Sequence, residues 1–153
     1  MIHVWSITVL AALFAPFGQA QGQKVAVPLG DVRAIHLVNH SKSIGSDLKI
    51  GTCLMQKMKE EGPFTFPEAR DNADALLTFE STIPSGARRV LLGRSPELKA
   101  TVTSLDGTVL WRAENKYKKG TTVWGASTDI ECGLANGLVD QLVKAIEQSR
   151  RAN

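Results

Sequence analysis

LKATVTSLDGTVLWRAENKY, residues 98–117, decides how the rest of this 153-residue chain is read. Asp106-Gly107 stands between two alternating apolar runs. Asp and Gly tolerate the positive φ that a type I′ turn requires at both central positions, so the stretch predicts a β-hairpin. A two-residue turn sets the register. Leu105 then faces Thr108, Thr103 faces Leu110, Val102 faces Trp111, Ala100 faces Ala113 and Lys99 faces Glu114. Leu98, Ala100, Val102, Trp111 and Ala113 share one side, while Lys99–Glu114 and Thr101–Arg112 share the other, so cross-strand pairing supports the pattern. The hairpin has one core face, and nothing in it performs a reaction.

Upstream, Asp31–Asn39 (DVRAIHLVN) predicts a strand with Val32, Ala34 and His36 on one side and Ile35 and Leu37 out of phase. That imperfect alternation fits a central strand buried on both faces. Ser46 is the expected N-cap of a helix running to about Glu61, with Lys57 and Lys59 near its end and Gly62-Pro63 as its stop. Ile50, Leu54 and Met58 form its buried stripe, flanked by Leu48 and Met55. Phe64–Pro67 predicts a short strand and Ala73–Ile83 a longer one with Ala75, Leu77 and Phe79 on one face. The basic connection 84–96 offers an edge strand at Arg89–Gly93.

After the hairpin, residues 118–127 read as a Gly/Thr/Ser-rich loop holding Trp124. Thr128-Asp129-Ile130-Glu131 has the form of a capping box. It opens a helix whose stripe is Ile130, Leu134, Leu138, Leu142 and Ile146, closed by Arg150-Arg151 at the negative end of the helix dipole. The fold expected is therefore α+β: a single mixed, largely antiparallel sheet in the order β-α-β-β-β-β-α, with two helices packed on one face.

Composition and the amino-terminus bound the function. A hydrophobic content of 43%, a charged content of 22% and a net charge of +3 suit one soluble globular domain. A pI near 9.0 falls short of the dense basic clustering of a nucleic-acid binder, and no cofactor motif is present. Val4–Phe17 is an apolar run too short to span a bilayer, and Gly18-Gln19-Ala20 supplies small residues for signal-peptidase cleavage. The expectation is a signal peptide over 1–20 cut after Ala20, a flexible lead-in over 21–30 and one domain over 31–149. The product is periplasmic or secreted, with no transmembrane segment after cleavage. No Cys follows the cut, so no lipid anchor is indicated.

The order of elements is similar to that of small bacterial envelope domains. The resemblance is carried by a helix ending in Gly-x-Phe-x-Phe, an Ala-Asp-Ala-Leu-Leu strand opening, the Asp-Gly-Thr-Val-Leu-Trp hairpin and a closing helix. The domains it resembles are the amino-terminal domain of the TolB translocation protein, the curli-secretion channel subunit and the lipoproteins that activate penicillin-binding proteins. The resemblance spans about residues 31–148 and implies a non-enzymatic accessory role, with no residue-level function to carry over.

Several constellations bear on chemistry. Ser46-Asp47-Leu48-Lys49 has the S-x-x-K form in which a Lys one turn away activates a Ser nucleophile, but the companion motifs of such hydrolases are missing. A plain N-cap accounts for Ser46. His36 and His40 are four residues apart on an extended segment, about 13 Å, too far to share a metal ion. Cys53 and Cys132, one on each helix, leave three outcomes open: an internal bridge, two free thiols or an intermolecular bond. Arg88, Arg89, Arg94, Arg112, Lys116, Lys118 and Lys119 gather around the hairpin, either as a solvated surface or as a patch for a partner. Trp124 beside them is either an interface anchor or a core residue folded back. The reading with most support is an exported binding domain that contacts a protein through Trp124, Arg88, Arg89, Arg94, Lys118 and Lys119. Binding of an anionic glycan or lipid, and a small serine hydrolase at Ser46/Lys49, are the alternatives.

Overall fold

The computed structural model describes residues 27–40, 44–83, 95–117 and 129–152, with the backbone alone for 44–47. Four strands form one sheet: β1 (Ile35–Asn39), β2 (Ala75–Ser81), β3 (Glu97–Ser104) and β4 (Val109–Lys116), in that spatial order. β1 and β2 run parallel, joined through helix α1 (Ile44–Glu61), and the remaining pairs are antiparallel. Helix α2 (Ile130–Ala152) closes the described chain. The α+β architecture with two helices on one face is as the sequence predicts, with one strand fewer among the described residues; the edge strand expected at Arg89–Gly93 lies outside them. Phe64–Phe66 contributes a single bridge, Thr65 to Ala34, rather than a strand.

Burial follows the alternation. On β2, Ala75, Leu77 and Phe79 are buried, and on β3, Leu98, Ala100 and Val102 are. They meet Ile50, Leu54 and Met58 of α1 and Leu134, Leu138, Leu142 and Ile146 of α2, the same four-residue stripes that the sequence shows.

β1 departs from expectation. It lies at the edge of the sheet that the described residues form, and its core-facing residues are Ile35, fully buried, and Leu37, packed against the core, while His36 and Val38 face the other way. The blurred alternation has a local cause: Val32, before the strand, is buried from the short 3-10 turn Leu29–Asp31 and is out of phase with the strand proper. The Asp74 carboxylate pins the start of β1, accepting the Arg33 and Ala34 amides at 3.0 and 2.8 Å. The end of α2 is clasped in the same way. Ser149 Oγ accepts the Gly30 amide at 3.1 Å, and Arg150 Nε donates to the Gly30 carbonyl at 2.8 Å.

The hairpin register holds from Val102–Trp111 outward, through Ala100–Ala113 and Lys99–Glu114. Its turn is different. The Gly107 amide bonds the Ser104 carbonyl and the Ser104 amide bonds the Thr108 carbonyl, with positive φ at Gly107 and not at Asp106. This is a three-residue loop, a tight turn followed by glycine in the left-handed region. The extra loop residue is compensated by a bulge: Thr103 pairs with Val109, Leu110 is left over, and the expected Thr103–Leu110 and Leu105–Thr108 pairs do not form. The Asp106 side chain makes the longer loop favourable. Its carboxylate accepts the Ser104 hydroxyl and, at 2.9 Å, the Thr108 amide, and these bonds hold its pKa below the ordinary value. A depressed carboxylate contributes stability that is complete above its unfolded pKa and is lost as pH falls through the folded one. Asp106→Asn keeps both acceptor roles, so it should leave the melting temperature at neutral pH nearly unchanged. Its melting temperature should fall less than wild type's below about pH 4, as read by thermal melts across that range.

Candidate functional site

The topology gathers loose ends at one end of the sheet. β1 and β2 finish there, as the His40 amide bonds the Phe79 carbonyl. β3 starts and β4 finishes there too, shown by the bonds of the Thr82 amide to Glu97 and the Tyr117 amide to Pro96. Both helices begin at this end. The described residues flanking the intervals 41–43, 84–94 and 118–128 therefore converge on one rim. Arg88, Arg89, Arg94, Lys118, Lys119 and Trp124 all fall in those intervals and lie outside the described residues. Arg112 and Lys116, grouped with them by sequence, are instead on β4, turned toward the open face of the sheet, and Lys116 pairs with Glu114 at 2.9 Å.

Beside that rim the two helix starts are tied together. Cys53 and Cys132 come into bonding contact with Cα atoms 5.2 Å apart, which favours the internal bridge among the outcomes left open. Lys49 reaches across from α1 to Asp129 at 2.7 Å, with Glu131 at 3.9 Å, and farther along Lys57 lies 3.7 Å from Asp140. Asp129 also caps α2: its side chain accepts the Cys132 amide at 3.4 Å and its carbonyl the Gly133 amide at 2.8 Å. The cap is thus one residue later than the capping box predicts.

This arrangement counts against hydrolysis at Ser46/Lys49. The Asp129 hydrogen bond raises the Lys49 pKa, whereas a lysine acting as general base needs it lowered. Helix α1 starts at Ile44, so Ser46 is its third residue and not its N-cap. The histidines also have other roles. The His36 ring donates from Nδ1 to the Pro67 carbonyl at 3.0 Å, and His40 stands at the rim of the open sheet face. Among the described residues no cluster of three metal-ligating side chains forms, and no helix is long and apolar enough to cross a membrane.

No family model and no curated protein sequence matches this chain. Solved structures do. Protein XCC0632 from Xanthomonas campestris, of the DUF330 family, superposes with a TM-score of 0.52 at 10% identity, covering 83% of this chain and 92% of its own. PelC from Paraburkholderia phytofirmans, solved as a dodecamer, gives a TM-score of 0.50 at 16% identity over 76% of this chain and 90% of its own. The chain shares its fold with both. Neither carries the name of TolB, the curli channel subunit or the penicillin-binding-protein activators. The resemblance seen in the sequence therefore holds at the level of the α+β architecture of bacterial proteins of this kind, and those particular families are not supported.

Sequence reasoning missed Asp129 as the partner of Lys49 and Asp74 as the clamp on β1. Both act between elements distant in sequence, and only the side-by-side placement of α1 and α2 or the order of the strands reveals them. An Asp directly before a helical stripe was the one local signal for the first.

Proposed function

We propose that this chain is an exported, non-enzymatic accessory domain of the bacterial cell envelope that contacts a protein partner through the rim where the sheet and helices end. The observation that carries the reading is the convergence on that rim of the described chain flanking 41–43, 84–94 and 118–128, the intervals to which Trp124, Arg88, Arg89, Arg94, Lys118 and Lys119 belong. A large aromatic ring among arginines has the composition of an interface hot spot. The apolar run ahead of Ala20 supports export. The cross-tie of α1 to α2 supports a rigid base under the rim, because a bridge and an ion pair hold the two helix starts in place.

A photoreactive residue placed at Trp124 in living cells should trap a discrete protein adduct. The same probe at Thr108, on the exposed hairpin turn at the far end of β3 and β4, should trap none. PelC is a dodecamer, so the adduct's mass also tells whether the partner is a second copy of this chain. Equal adducts from both positions, or none from Trp124, would refute the rim as the contact surface.

A further inference from the structure

The sheet face turned away from the helices is built in cross-strand rows. Glu80, Lys99 and Glu114 stand opposite one another on β2, β3 and β4, and in the next row Thr78, Thr101 and Arg112 do the same. With His40 at the rim they line an open concavity of about 560 Å³, a size that suits a small ligand. Among the described residues the charges on this face balance, with Glu80, Glu97 and Glu114 against Lys99, Arg112 and Lys116.

Most of those charges are matched locally. Lys99 Nζ lies 3.1 Å from Glu97 Oε1 and Lys116 Nζ 2.9 Å from Glu114 Oε1. Among the described residues, Glu80 and Arg112 have no such partner. They are opposite in sign, two strands and two residues apart, roughly 12 Å from backbone to backbone by ordinary strand spacing and rise. Lys99, held by Glu97, and Thr101 lie between them on β3, with Thr78 beside Glu80 on β2.

We infer that this face binds a short zwitterionic peptide, its ammonium on the Glu80 carboxylate and its carboxylate on the Arg112 guanidinium. The guanidinium offers the two parallel donors that a carboxylate accepts. A free amino acid carries its charges too close together to span the gap. An extended tripeptide reaches about 10 Å, which the two side chains close by leaning inward. The Thr101 hydroxyl, on the strand between them, then meets a peptide N–H or C=O group. The inference does not depend on the rim being a protein contact, since the concavity is lined by strand residues.

The test is an amide NMR titration of the mature chain with trialanine, N-acetyl-trialanine and trialanine amide. Trialanine should give saturable shifts centred on Thr78, Thr101 and Arg112, and each blocked peptide should bind roughly fivefold more weakly. Arg112→Gln should weaken trialanine by a similar factor and leave trialanine amide unaffected, and Glu80→Gln should do the same with respect to N-acetyl-trialanine. Unchanged spectra away from the face confirm that both variants fold. Three outcomes would overturn the assignment: no saturable shift, equal binding of free and blocked peptides, or a variant that weakens free and blocked peptides alike.

Discussion

Val102→Asp should lower the melting temperature by roughly 10 °C, corresponding to about 3 kcal/mol, while Thr103→Asp should change it by only a degree or two. Val102 is fully buried in the middle of β3, between Leu77 on β2 and Trp111 on β4. A carboxylate there has no hydrogen-bond donor to meet it, so it loses hydration as an ion or is forced to protonate. Thr103, the next residue, points to the open face beside the bulge, where water reaches a new charge. The contrast is a test of register, because a one-residue slip would exchange the two positions. Variants that melt alike would contradict the placement of β3.

Breaking the link between Cys53 and Cys132 should have the other large effect. The cysteines are 79 residues apart in sequence, and closing a loop of that length is worth about 4.5 kcal/mol in the chain-entropy account, less whatever residual structure the unfolded chain keeps. That exceeds what the neighbouring Lys49–Asp129 pair can supply, since water screens a half-exposed ion pair. Reductant should therefore lower the wild-type melting temperature by roughly 10 °C or more and leave Cys132→Ser unmoved, because the serine variant has already lost the bridge. A wild-type protein whose melting is indifferent to reductant would show that the bridge does not form in solution.

Much of this architecture was legible in the sequence because its signals are periodic. The stripes Ile50–Leu54–Met58 and Leu134–Leu138–Leu142 name the buried helix faces, and Ala75–Leu77–Phe79 names that of β2. The hairpin register was right over most of its length for a more fragile reason: a loop one residue longer than expected is offset by one extra residue at Leu110. Dipeptide signals such as Asp-Gly mark where a hairpin turns but not how many residues turn it, since the Asp106 side chain can close a longer loop. β1 was misplaced as a central strand because Val32, buried just before it, mimics a strand residue of the other phase. The start of α1 was off by three residues and that of α2 by one, as caps depend on backbone geometry that several nearby polar residues can satisfy. Composition alone points to Arg88, Arg89, Arg94, Lys118, Lys119 and Trp124, and the topology adds that the described chain on either side of them ends at one rim. Glu80 and Arg112 were not singled out as a pair, because their lack of partners is visible only once three strands are in register.

Two features stand together: the proposed export of the domain and the side-by-side packing of its two helices on one face of one sheet. Intact-mass and non-reducing peptide mass spectrometry of the protein taken from the cell envelope tests both parts together. The prediction is a chain that begins at Gln21, is two hydrogens lighter than its sequence and yields one linked Cys53–Cys132 peptide pair. A chain that retains Met1–Ala20, or two cysteines that alkylate freely without reduction, would contradict it.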